Sequence, residues 1–318
     1  MTDNQQYRAM RQRQIDAAHE KAFPHDALVV IPTRYPGRWI SVAVCVLLLI
    51  LLIRSMVMNE NFGWSIVGHY LFSPIILSGL WVTVWLTAVI MALAIVLSVF
   101  IATLRLSANP LLSRFSSGYI WFFRGTPVLV QLIFWYNLAA LYPEVYIGIP
   151  HVFTLYQGSM NDLITPYTAA ILGLGLNEAA YMAEIIRAGM SSVDTGQQEA
   201  ARALGMNKGL WLRRIILPQA IPFIIPPTGN QVIGMLKTTS LVSVISLSDL
   251  LYSAQSIYSR TFENIPLLIV ACIWYLFATT ILSWIQGGLK TYSVKVKPPI
   301  DSLGIKGWTG AGNEIGIV

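Results

Sequence analysis

Six polar side chains of this chain stand in or beside long apolar stretches: Arg124, Asn177, Glu178, Asn230, Lys237 and Thr239. A charge at hydrocarbon depth costs about 2.5–3.5 kcal/mol on insertion scales, so each needs a partner, water or a ligand. Glu184 and Arg187 lie three apart near the end of their stretch and are expected to pair locally. Glu178 lies deeper and has no cationic neighbour in sequence. It either pairs with Lys237 or faces a watery cavity, where it would meet a substrate. The stretch holding Lys237 opens with Pro218, Pro222, Pro226 and Pro227, continues through Gly229-Asn230-Gln231, and closes on Lys237-Thr238-Thr239-Ser240. Prolines remove backbone donors, and the carbonyls they free must be satisfied by protein or water. The stretch is therefore either part of a polar passage or a kinked helix bonded to its neighbours through hydroxyl groups. Such a set suits recognition and passage rather than bond making. The sequence has no phosphate-binding G-x-x-x-x-G-K-[ST] loop and no nucleophile elbow, and His19, His25, His69 and His151 lack metal-ligand spacing. Hydrolysis of ATP by this chain alone is excluded.

The elements that must hold these groups are membrane helices. Hydrophobic residues make up 55% of the 318 positions, charged residues 11%, and mean hydropathy is +0.60; soluble domains are about a quarter charged. The expected fold class is an all-α integral membrane protein with about six transmembrane helices, each near 20 apolar residues long. They are 38–57, 74–104, 119–141, 166–189, 220–246 and 265–288, the second long enough to tilt or project. Residues 1–37 are polar and mixed in charge, too long for a signal-peptide head. They hold either a surface helix around 5–22 or a partly ordered extension. The 142–165 connection is expected to form a small external helix or lid, and 291–318 a loose tail. Cys45 and Cys272 fall in apolar runs and are expected to be buried thiols. With the N-terminus in the cytoplasm, sixteen of the 21 basic residues fall on the cytoplasmic side, while only Arg54 and Arg260 lie in outward loops. This asymmetry places both termini inside and explains the net charge of +6 without nucleic acid.

One cytoplasmic segment, residues 191–218, reads as a short soluble helix between spans. Asp194 with Gln197, or Thr195 with Gln198, forms a capping-box pattern, and Gly205 is placed as the stop. Ala200, Ala201 and Leu204 are expected on one face, with Glu199 and Arg202 beside it, a shape suited to another protein's groove.

The residues Glu199-Ala-Ala-x3-Gly205-x9-Ile215-x-Leu217-Pro218 resemble the EAA loop of ABC-importer permeases. More narrowly, Tyr119-Ile-Trp-Phe-Phe-Arg124-Gly-Thr-Pro127-Val-Leu-Val-Gln131 resembles the polar amino-acid permeases, the histidine/glutamine/arginine group. Ala180-Tyr181-x2-Glu184-Ile-Ile-Arg187-Ala-Gly189, Pro226-Pro-x-Gly229-Asn230 and Lys237-x2-Ser240-Leu-Val-Ser243 do likewise. The resemblance implies a five-helix permease domain over 73–290, preceded by the extra span 38–57. It implies a bacterial plasma-membrane importer for a polar, possibly basic, amino acid. Its partners would be a dimer of ATPase subunits holding ATP and Mg, a second permease chain (same or sister), a solute-binding protein outside, and lipid. No cofactor is expected on this chain. Gly196, Glu199, Ala200, Ala201, Leu204 and Gly205 would contact the ATPase, and Arg124, Asn177, Glu178, Asn230, Lys237 and Thr239 would form the substrate pathway. Relatives often carry a small residue where Glu178 stands, Asp or Asn where Thr238 stands, and a basic residue at Pro222-Phe223. A sensor scaffold of the same architecture and a stand-alone channel or membrane enzyme are the alternatives.

Overall fold

The computed structural model describes residues 3–22, 36–149 and 153–295, and the chain divides into two units, Met1–Glu60 and Asn61–Val318. His25, His151 and the expected tail from residue 296 lie outside the described residues. In the first unit, α1 (Asp3–Ala22) is helical, in line with one of the two alternatives for this segment. The next helix is α2 (Pro36–Met58), long and apolar enough to cross a bilayer, with its apolar side chains exposed along nearly its whole length.

The second unit begins with α3 (Trp64–Tyr70), which contains His69, then α4 (Pro74–Arg105), α5 (Pro110–Gly125), α6 (Val128–Tyr136) and α7 (Leu138–Leu141). Strands β1 (Glu144–Ile149) and β2 (Phe153–Ser159) follow, then α8 (Met160–Leu163), α9 (Pro166–Ser191) and α10 (Thr195–Ala203). The remainder is α11 (Lys208–Trp211), α12 (Leu217–Thr238), α13 (Leu250–Thr261) and α14 (Asn264–Lys295). A π-helical turn at Leu212–Ile216 joins α11 to α12, and a 3-10 segment at Thr239–Ile245 extends α12.

Three long helices start on the same local signal. Ser73, Asn109 and Thr165 each accept a backbone N–H of the first turn, and Pro74, Pro110 and Pro166 follow at the first helical position. There the missing N–H has no intrahelical partner to lose. Of these helices α9 is the core element: 67% of its spanning window is buried, and it packs on α4, α5, α6 and α12. Small residues allow the approach. A Cβ added at Gly173 would lie 3.0 Å from the Leu132 Cα of α6.

Among the described residues, four helices are singly long and apolar enough to cross a bilayer: Gly37–Met58, Pro74–Arg105, Pro166–Ser191 and Asn264–Gly288. A bent pair, Gly209–Ile245 with Leu250–Thr261, turning by 45°, raises the count of candidates to five by length and composition. Three of the expectations are corrected. The expected span 119–141 is broken instead. Thr126 is extended at φ −115° and ψ 145°, the conformation a following proline imposes, so α5 ends at Gly125 and α6 starts after Pro127. The fold is not wholly α, because the 142–165 connection forms an antiparallel hairpin pairing Glu144 with Ser159 and Ile149 with Phe153. Its runs Val-Tyr-Ile and Phe-Thr-Leu-Tyr are β-branched and aromatic, which suits strands. Finally, Cys45 and Cys272 are free but exposed, since hydrocarbon around a span accepts a thiol as readily as a core does.

Candidate binding pocket

The pocket grows out of two helix faces and one helix break. At about 100° per residue, Asn177, Glu178 and Tyr181 project from one side of α9, and Gln231, Gly234, Met235 and Thr238 from one side of α12. With Val128 at the start of α6, these seven side chains and Gly234 enclose a cavity of about 270 Å³. Gly234 keeps it open, because a Cβ there would meet nothing within 4 Å.

Glu178 is the charged group of this cavity and is 6% exposed. Its Oε1 accepts a hydrogen bond of 2.9 Å from Gln231 Nε2 across the α9–α12 contact. The expected alternative of a Glu178–Lys237 ion pair is not formed. Lys237 lies six residues beyond Gln231, roughly 240° around the helix, and is exposed on another face. Among the described residues, the ion pair formed is Arg187 with Glu184, where Nη2 lies 2.5 Å from Oε1. Arg124 reaches the rim of the pocket by another route: its guanidinium stands 5.0 Å from the centroid of the Tyr181 ring, within cation–π range.

Asn177 has a second duty. Its Nδ2 donates to the Phe123 carbonyl at 2.6 Å and to Gln131 Oε1 at 3.2 Å. Gln131 Nε2 in turn donates to the carbonyls of Phe123 and Thr126 and to Thr126 Oγ1. These bonds satisfy carbonyls that the break at Pro127 leaves without helical partners, and they pin the break to α9 beside Glu178. Asn177→Ala removes both donations and leaves a nearly buried amide oxygen on Gln131 unpaired. It is expected to destabilise the chain by about 1–3 kcal/mol, measured as a lower unfolding temperature in detergent.

Two other expected pathway residues lie elsewhere. Asn230 Oδ1 accepts from Gln286 Nε2 of α14 at 2.7 Å, so it serves the α12–α14 contact. Thr239 is fully buried and donates to the Leu236 carbonyl at 2.7 Å; Thr238 lines the pocket in its place. The lining residues outside the expected pathway set are Val128, Tyr181, Gln231, Gly234, Met235 and Thr238, of which Gln231 and Thr238 stand in the polar stretch marked in the sequence. The spacing 231-234-235-238, one helical face with a glycine in it, was the available signal. A second, larger space of about 370 Å³ between α4, α12 and α14 is lined by hydrocarbon and the Thr87 side chain, whose hydroxyl donates to the Thr83 carbonyl. It has nothing with which to hold a polar ligand.

At the far end of α9 the short helix α10 forms as the spacing predicts. Asp194 Oδ1 accepts from Gly196 N at 2.6 Å, without the reciprocal glutamine bond of a capping box. Gly205, at φ +70°, ends it: Gly205 N donates to Arg202 O and Met206 N to Ala201 O, a Schellman closure. Gly196, Glu199, Ala200 and Gly205 are exposed, and Leu204 is 79% exposed. Ala201 departs from the expected shared face; it turns inward and is 1% exposed.

Residues 94–290 match the family described as the inner membrane component of binding-protein-dependent transport systems. The chain is 46% identical to the arginine transport system permease protein ArgU of Corynebacterium glutamicum over 252 residues, 79% of this chain and 78% of that one. It is 38% identical to the nopaline transport system permease protein NocM of Agrobacterium fabrum over 210 residues, 66% of this chain and 84% of that one. Among solved structures, it is similar to a chain of an amino acid ABC transporter crystallised with histidines. That likeness has a TM-score of 0.59 and 36% identity over 70% of this chain and 95% of that one.

Proposed function

Because the chain belongs to the family of inner membrane components of binding-protein-dependent transport systems, we propose that the α9–α12 pocket is a ligand site of its translocation pathway, with Glu178 selecting amino acids that carry an added cationic group. The chain is the permease subunit of an amino-acid ABC importer, and such subunits lack an ATPase site of their own. The relatives are transport permeases, which favours import over the sensor and channel readings.

The observation that carries the ligand class is the Glu178 carboxyl itself. It lines the cavity, has no cationic side chain within bonding distance among the described residues, and uses one oxygen on Gln231. Its other oxygen takes no protein donor and is not sealed from the cavity. A guanidinium or ammonium group supplies the missing charge and donors. The arginine transport permease at 46% identity supports the same class.

The exposed face of α10 suits docking to the ATPase partner, which holds ATP and Mg. The bias of basic residues supports cytoplasmic termini and a multi-pass place in the bacterial plasma membrane. A second permease chain, the same or a sister, completes the pathway, and a solute-binding protein delivers the ligand from outside.

The test is uptake by the complete importer in proteoliposomes, with L-arginine and its neutral isostere L-citrulline as ligands. Glu178→Gln is expected to lower arginine uptake by about tenfold or more while changing citrulline uptake far less, the loss of one charge-assisted contact. Equal loss of both ligands would remove Glu178 from ligand selection.

A further inference from the structure

Glu178 and Gln231 belong to the two helices that flank the 191–218 segment, the coupling loop proposed to meet the ATPase. α9 leads into it at Ser191, and the chain leaves it through consecutive helical segments from Lys208 to Thr238. These two arms differ in stiffness. α9 has no proline past its first position and is largely buried, whereas α12 holds Pro222, Pro226 and Pro227 and begins on a π-helical turn. Each interior proline deletes a backbone hydrogen bond, so α12 bends more readily than α9. A displacement of α10 therefore moves α12 against a nearly fixed α9.

Gln231 lies on the pocket side of those prolines, and its side-chain amide is hydrogen-bonded to Glu178 across the contact. The bond is 2.9 Å long and joins two flexible side chains, so a shift of an ångström or two breaks it. While it holds, it limits the rotamers of Glu178 and keeps two acceptors side by side at the cavity lining, Glu178 Oε2 and Gln231 Oε1, neither of which takes a protein donor among the described residues. A guanidinium has donors for both. When the bond opens, the two acceptors no longer stand together.

We propose that Gln231 is a positioning residue: it holds Glu178 for the ligand and lets it go when the coupling loop displaces α12. This rests on the reading of the pocket as a ligand site, and it adds the step by which the partner's ATP cycle reaches that site.

The experiment measures binding of labelled L-arginine to the permease–ATPase complex in nanodiscs, without the binding protein, in nucleotide-free and ATP-trapped states. The wild-type Kd is expected to differ between the two states by about tenfold or more. Gln231→Leu, which keeps bulk but cannot donate, is expected to weaken the tighter state by about tenfold or more and to collapse the difference between states. The exchanged pair, Glu178→Gln with Gln231→Glu, restores a carboxyl–amide bond across the same contact and is expected to recover the state dependence. A merely structural role for Gln231 would not produce that recovery. If Gln231→Leu retains the wild-type Kd values in both states, or the exchanged pair binds without state dependence, the positioning role is overturned. If Glu178→Gln binds arginine as wild type does, the ligand-site reading falls and this inference with it. Loss of binding in Glu178→Gln but not in Gln231→Leu would overturn the inference alone.

Discussion

Gly234→Leu is expected to lower ligand uptake by about a hundredfold or more while the chain remains at least as stable as wild type. The two halves of this result have separate causes. Glycine inside a helix costs about 0.5–1 kcal/mol relative to alanine, and leucine is a good helix former, so α12 gains from the change. A Cβ at 234 meets no atom within 4 Å outside its own stretch of helix, so no packed neighbour opposes it. The isobutyl group instead enters the cavity of about 270 Å³ on the face shared with Gln231 and Thr238. A ligand then loses volume and access to Glu178 together. Thermal unfolding of the purified complex, set beside proteoliposome uptake, checks both halves. Full uptake in a well-folded Gly234→Leu importer would show that ligand does not pass through this pocket.

The second large effect belongs to the 191–218 loop, proposed to couple the chain to its ATPase. Gly205→Trp is expected to abolish ATP-driven uptake and to weaken retention of the ATPase partner on the tagged permease. Gly205 closes α10 at φ +70°, where a residue with a Cβ pays about 1–2 kcal/mol, and the Schellman bonds to Ala201 and Arg202 depend on that geometry. A Cβ there meets no atom within 4 Å beyond its chain neighbours, so the indole is expected to project outward beside the exposed Leu204, on the surface proposed to meet the ATPase. Gly205→Asn separates the two causes. Asparagine tolerates the left-handed conformation and is small, so most uptake should remain. An importer with Gly205→Trp that takes up ligand at the wild-type rate would exclude this loop from coupling.

Much of what matters here was readable because its causes are local. Asp194 and Gly205 act on backbone groups within a turn of themselves, and so do Ser73-Pro74, Asn109-Pro110 and Thr165-Pro166. The Glu184–Arg187 pair needs no more than one helical turn. The break at Gly125-Thr126-Pro127 was equally local. It was passed over because the apolar run continues across it, and hydropathy does not register a lost backbone donor. The 144–159 hairpin was missed in the same way, its strand pattern being short and set between helical stretches.

By itself the sequence determined that this chain is an integral membrane protein with a capped loop between its fourth and fifth apolar stretches, and its motif series carried the resemblance to permeases. Composition, charge bias and cap chemistry are properties of neighbouring residues, and they survive without a fold. Only the tertiary structure decided what Glu178 touches. Gln231 and Lys237 are both polar, both on α12 and six residues apart, and at about 100° per residue that separation turns them to different faces. The rotation of α12 about its axis against α9 is set by the packing of the two helices along their contact, with Met235 and Leu236 buried. That rotation leaves Lys237 outside, sends Asn230 to Gln286, buries Thr239 and brings Gln231 to the carboxyl. Charge alone pointed to the lysine; the packing of two helices selected the glutamine.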